Sequence, residues 1–110
     1  MFLEKFIRTN RKAFESLCEA HRVDTLYAFG SSITARFNQD ISDIDLLVSL
    51  TVIDPLEKEK ILLSLCTDLE IFFDRKVDLL TPESIRNPFY KATIDRTKKL
   101  MYDREGEILS

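Results

Sequence analysis

Phe29-Gly30-Ser31-Ser32, followed at Asp43-Ile44-Asp45 by a second signal, is the stretch on which the rest of this chain is organised. Gly30 is one of only 2 glycines in 110 residues, and the other, Gly106, lies close to the end. A chain so sparing with glycine places one where a side chain cannot be tolerated. Here it follows a short apolar run, Thr25-Leu26-Tyr27-Ala28-Phe29, which reads as a strand, and it precedes two hydroxyls. Successive amides in such a turn make an anion-binding concavity, and the Ser31 hydroxyl can add a donor to a phosphate oxygen.

Asp43 to Leu50 reads as a second strand, apolar on both faces beyond its acidic start. Residues two apart on a strand share a face, so Asp43 and Asp45 project together, roughly 7 Å apart. Lys76 to Leu80 is a third strand with one aspartate, Asp78, inside an apolar run. If it lies beside the second strand, three carboxylates form a triangle. Two unit charges about 4 Å apart repel by about 4 kcal/mol at an effective dielectric near 20, so the triangle needs a cation. Hard oxygen ligands select Mg²⁺, with Mn²⁺ as the substitute, and such ions take remaining ligands from substrate phosphates. Singly, a Gly-Ser after a strand is a turn and Asp-x-Asp is a solvated strand start. Together, in this order, they read as a metal–nucleotide site.

The remaining elements follow from periodicity and punctuation. Leu3, Phe6, Ile7, Phe14, Leu17 and Cys18 make one face of a helix from Leu3 to about Ala20. Gly30 to Ser42 is irregular, with one helical turn expected around Ile33 to Phe37. Asp54-Pro55-Leu56-Glu57 starts a helix that runs to about Glu70, with Asp at the N-cap and Pro at N1. Thr81-Pro82 and Asn87-Pro88 repeat that grammar, so a short turn precedes a final helix from Pro88 to about Asp103. The last residues, Arg104 to Ser110, are expected to fray. The expected fold is α/β (α+β): a single domain, residues 1–110, with a small mixed β-sheet of at least three strands packed by helices.

Composition bounds the function classes. A 45% apolar and 32% charged chain with net charge −3 reads as a soluble globular protein, not a bulk polyanion binder. Cys18 and Cys66 lack a metal-binding spacing and read as reduced thiols, which suits a cytoplasmic location. His21 is the single histidine, so a His/Cys zinc site is not expected. Neither a signal peptide nor a membrane anchor is expected.

At the quoted residues the sequence resembles the minimal nucleotidyltransferases of the DNA polymerase β superfamily. The motif there is hydrophobic-Gly-Ser, then Asp-hydrophobic-Asp, then a third aspartate on a later strand. It corresponds here to Phe29-Gly30-Ser31, to Asp43-Ile44-Asp45 with trailing Leu46-Leu47-Val48, and to Asp78 in Val77-Asp78-Leu79. The resemblance covers about residues 20 to 82. It implies a polymerase β palm-like nucleotidyltransferase fold with catalytic, metal-holding Asp43, Asp45 and Asp78. It further implies two Mg²⁺ ions, ATP as donor, and a nucleotide-binding turn of Gly30, Ser31 and Ser32. Asp78 would bind the catalytic metal and help deprotonate the acceptor. The chain departs from the pattern in a loop, Ser32 to Ser42, one residue longer than the commonest form, and in Ala35-Arg36-Phe37, which replaces the usual Arg-Gly.

By its size and motif the chain is similar to the antitoxin of HEPN/MNT toxin–antitoxin pairs. That implies transfer of AMP from ATP to a tyrosine hydroxyl of a HEPN-domain toxin. The competing reading is a non-enzymatic antitoxin with a degenerate nucleotide pocket that neutralises its partner by contact. A third is nucleic-acid binding through the final segment, where Arg86, Lys91, Arg96, Lys98, Lys99 and Arg104 outnumber Asp95 and Asp103. A nucleic-acid partner is the least expected of the three. The oligomeric state, the acceptor and the base preference are left open.

Overall fold

The structure, a computed structural model, describes residues 2–33 and 43–106. The chain runs α1 (Phe2–Thr9), α2 (Arg11–Ala20), β1 (Val23–Phe29), a 3-10 turn (Gly30–Ile33), β2 (Ile44–Leu50), α3 (Pro55–Phe73), β3 (Val77–Leu80), a 3-10 turn (Pro82–Ser84), α4 (Pro88–Thr97) and β4 (Lys99–Asp103). Four strands form one sheet in the order β3-β2-β1-β4. β1 is antiparallel to β2 and β4, and β2 is parallel to β3, with α3 as the crossover. The mixed sheet and its packing helices are those expected.

Two expectations are corrected. The first helix is two: the chain leaves helical geometry at Asn10 (φ −114°, ψ 36°), whose side-chain amide donates to the Phe6 carbonyl at 2.9 Å. A side chain that bonds the backbone locally competes with the helix, and here the break falls between two turns that still face one core. The final helix ends at Thr97, not at Asp103, and Lys99–Asp103 is instead β4. Lys, Leu and Met are good helix formers, but β1 offers an open edge, and pairing with it overrides local propensity. The basic run is thereby divided. Lys98 pairs with Asp95 and lies over the Tyr27 ring, Lys99 approaches Glu4, and Arg104 pairs with Asp24.

Alternation along the strands sorts the two faces. Leu26, Ala28, Ile44, Leu46, Val48 and Val77 point to the main core beneath α1, α2 and α3. Tyr27, Phe29, Leu47 and Leu80 point to the other face, where Ile94 of α4 seals a smaller cluster. The main core is aromatic at its centre. The Phe14 ring lies 5.6 Å from that of Phe72 and 6.3 Å, edge-on, from Tyr102, and Phe72 and Phe73 meet edge-on at 4.9 Å. Phe14 is fully buried. Phe14→Ala is expected to cost about 3–5 kcal/mol, the range for buried Phe truncations, read as a lower urea midpoint with an unchanged slope.

Helix α3 starts as its sequence requires. Asp54 accepts a hydrogen bond from the Glu57 amide at 3.0 Å with Pro55 at the first helical position, and the helix continues beyond Glu70 to bury Phe73. At its far end the Glu70 carboxylate accepts from the Val77 amide at 3.0 Å, which fixes the start of β3 next to Asp78. No helix among the described residues is long and apolar enough to cross a membrane.

Candidate active site

The sheet brings two distant parts of the chain to one edge. In the parallel β2–β3 register Asp45 sits opposite Asp78, and in the antiparallel β1–β2 register it sits opposite Phe29. Asp45 is therefore flanked by a second carboxylate on one side. On the other side is the residue before Gly30. Asp43 lies at the exposed entry to β2, two residues earlier. Asp45 and Asp78 share the α4 side of the sheet with Leu47 and Leu80. Asp45 is half-buried, whereas Asp43 and Asp78 are exposed.

The electrostatics follow from that placement. Burial, with the charges of Asp78 and Asp43 beside it, pushes the Asp45 carboxyl up to about 6. A carboxylate so destabilised is relieved by a proton or by a cation. Among the described residues no three His, Cys, Asp or Glu side chains are gathered closely enough to hold a metal ion between them, so the expected triangle of Asp43, Asp45 and Asp78 is not drawn together in this structure. An open, oxygen-only set suits an ion such as Mg²⁺, which keeps water and phosphate oxygens among its ligands, and poorly suits zinc.

The Gly30 turn is built around the same carboxylate. Gly30 adopts φ +63°, and a Cβ there would lie 2.7 Å from Asp45 Oδ2. The bare backbone is thus required twice, by the left-handed conformation and by the close approach. Ser31 is half-buried on the turn. Ser32 is fully buried, and its hydroxyl oxygen accepts a hydrogen bond from the Asp45 amide at 2.7 Å. Residues 34–42, which hold Ala35-Arg36-Phe37 and most of the expected turn around Ile33 to Phe37, lie outside the described residues.

The fold places Gly30, Ser31, Asp43, Asp45 and Asp78 at one end of the sheet, but Ser32, expected to bind nucleotide, is fully buried with its hydroxyl on the Asp45 amide. The sequence reading missed the support beneath the site: the Ser32 hydroxyl on Asp45 and the Glu70 carboxylate at the start of β3. Neither has a local signal, since each joins residues on different elements. The cysteines are free; burial pushes the Cys18 thiol up to about 12. His21 faces the Leu17 carbonyl, Ser64 and Asp68, an arrangement that ties α2 to α3 and lies outside the site.

Comparison with known proteins agrees with this architecture. Residues 10–100 match the nucleotidyltransferase domain family. A relative from Methanocaldococcus jannaschii, named "Putative protein adenylyltransferase MJ0126", is 37% identical over 86 residues, covering 77% of this chain and 83% of that protein. A solved structure described as a "putative minimal nucleotidyltransferase" superposes with a TM-score of 0.65 at 25% identity, covering 87% of this chain and 93% of the other. A chain from the complex of a tri-AMPylated Shewanella oneidensis HEPN toxin with its MNT antitoxin shares the fold, with a TM-score of 0.51 at 19% identity and coverage of 89% and 73%. With the turn and the aspartates at one sheet edge, and the match running through every element that carries them, this chain belongs to the nucleotidyltransferase domain family and is a nucleotidyltransferase enzyme.

Proposed function

We propose that this nucleotidyltransferase transfers AMP from ATP to a hydroxyl group of a partner protein, and that the partner is a helical HEPN-domain toxin which it silences as an antitoxin. The observation that carries the site is Asp45, set between Asp78 and the bare backbone of Gly30. The relative's name supports protein adenylylation, and the HEPN complex with its AMPylated toxin supports the partner class.

In this reading Asp43, Asp45 and Asp78 would hold Mg²⁺. Bound there, it would shield their mutual repulsion, polarise the reacting phosphate and stabilise the departing pyrophosphate. The protein's own residues do the rest. Gly30 lets a phosphate approach the turn, and Ser31 presents its hydroxyl and amide to the triphosphate. The acceptor oxygen attacks the α-phosphorus, the bond from that phosphorus to the bridging oxygen breaks, and pyrophosphate leaves with the electron pair. Asp78, the exposed partner of Asp45, takes the acceptor's proton at its carboxylate.

The test is incubation with ATP labelled at the α-phosphate and the protein encoded beside this chain's gene. Label should pass to that protein and require Mg²⁺, and Asp43→Ala with Asp45→Ala should abolish it. Label transfer by the double variant would overturn the site. Toxin neutralisation that survives the double variant without any label would instead favour inhibition by contact.

A further inference from the structure

Ser32 is the only polar residue buried completely among the described residues, yet it stands next to the one turn that must meet a phosphate. Its hydroxyl faces inward. β-strand amides point alternately to the two neighbours. The Ile44 amide donates across β2–β3 to the Lys76 carbonyl at 3.0 Å, so the Asp45 amide points toward β1. There β1 has already turned away, because Gly30 is left-handed (φ +63°). The Ser32 Oγ takes up that amide at 2.7 Å, where the next strand acceptor would have been.

Gly30 and Ser32 therefore grip Asp45 from two directions. The Gly30 Cα lies against the carboxylate, and the Ser32 hydroxyl holds the backbone amide of the same residue. We propose that Ser32 is a positioning residue: its hydroxyl sets the turn that holds the nucleotide's phosphates at a fixed distance from the carboxylate that holds the metal. The proposal rests on the nucleotide site described above and goes beyond it, because Ser32 acts through Asp45 without touching the ligand. An unfilled amide at this position would let the turn slide relative to β2. Partners one shell out from a metal ligand are typically worth about 10- to 100-fold in metal affinity or activity.

Two measurements test it. Hydrogen exchange of the Asp45 amide, followed by NMR in the metal-free protein, is expected to speed up about tenfold or more in Ser32→Ala, as a lost acceptor requires. Calorimetric titration with ATP in the presence of Mg²⁺ is expected to weaken about 10-fold or more in Ser32→Ala. Ser32→Thr, which keeps the hydroxyl, should recover most of both effects. A Ser32→Ala protein that is folded by circular dichroism and binds Mg²⁺-ATP as tightly as the wild type would overturn the positioning role. So would an Asp45 amide whose exchange is unchanged. Failure of the wild type to bind Mg²⁺-ATP would be a different result, removing the nucleotide site itself and this role with it.

Discussion

Asp45→Asn is expected to abolish nucleotide transfer while raising the melting temperature of the metal-free protein at neutral pH. The two effects have one cause. In the folded chain the Asp45 carboxyl is raised to about 6 by burial and by the charges of Asp78 and Asp43. An unfolded aspartate titrates near 3.9. A group whose folded value is the higher one binds more protons in the folded state between about 4 and 6, so stability falls as pH rises through that window. Above it the ionised carboxylate is a standing cost, which an amide of the same shape removes. Asp45 is half-exposed and partly screened by solvent, so the gain is a modest upward shift, largest near pH 7 and absent below about pH 4. The same carboxylate is a proposed metal ligand. Metal stabilisation of transition-state charge is worth several kcal/mol and each 1.4 kcal/mol is tenfold, so transfer should fall by about 10³-fold or more. Thermal melts at pH 4 and pH 7, with and without Mg²⁺, check it. Mg²⁺ should raise the melting temperature of the wild type and not of the variant, since a ligand stabilises only the state that binds it. A variant less stable than the wild type at pH 7, or one that still transfers label, would sink the assignment.

The features that define this site were legible in the sequence because each is local. A scarce glycine after a β-branched and aromatic run, an acidic strand start and an aspartate inside an apolar run need only period-two reading. Their convergence could be anticipated as a condition, that the second and third strands be neighbours, and the parallel Asp45–Asp78 register meets it. What escaped the sequence depends on distant partners. Lys98 to Tyr102 carries helix-forming residues, and only the open edge of β1 makes Lys99–Asp103 a strand. The break at Asn10 leaves the apolar spacing of Leu3, Ile7, Phe14 and Cys18 on one core, so the pattern reads as a single helix. The Ser32 hydroxyl spans 13 residues of sequence to reach Asp45, so from the sequence it reads as one more donor of the nucleotide-binding turn. The division of the basic run matters for function as well. Lys98, Lys99 and Arg104 are each near an acidic residue, and Lys99 and Arg104 lie on or beyond β4, so the six cations do not share one helix.

Gly30→Ala is expected to lower transfer far more than it lowers stability, and part of its stability cost should disappear when Asp45 is truncated. At φ +63° an L-residue with a Cβ costs roughly 1–2 kcal/mol through the backbone alone. The added methyl also meets Asp45 Oδ2 at 2.7 Å, closer than real Cβ contacts allow. Either the carboxylate swings away or the turn lifts off β2, and both separate the phosphate side of the site from the metal side. Gly106 supplies the control. It too has positive φ, at +108°, but a Cβ there meets nothing within 4 Å, so Gly106→Ala should leave transfer unchanged. A double-mutant cycle separates the two parts of the Gly30 effect. In an Asp45→Ala background the clash has no partner and only the backbone cost persists. The stability loss from Gly30→Ala should then shrink by about 0.5–3 kcal/mol, the range for residues in direct contact. Additive losses in urea denaturation would mean that Gly30 and Asp45 do not share one packed site, and the turn would then be a turn and nothing more.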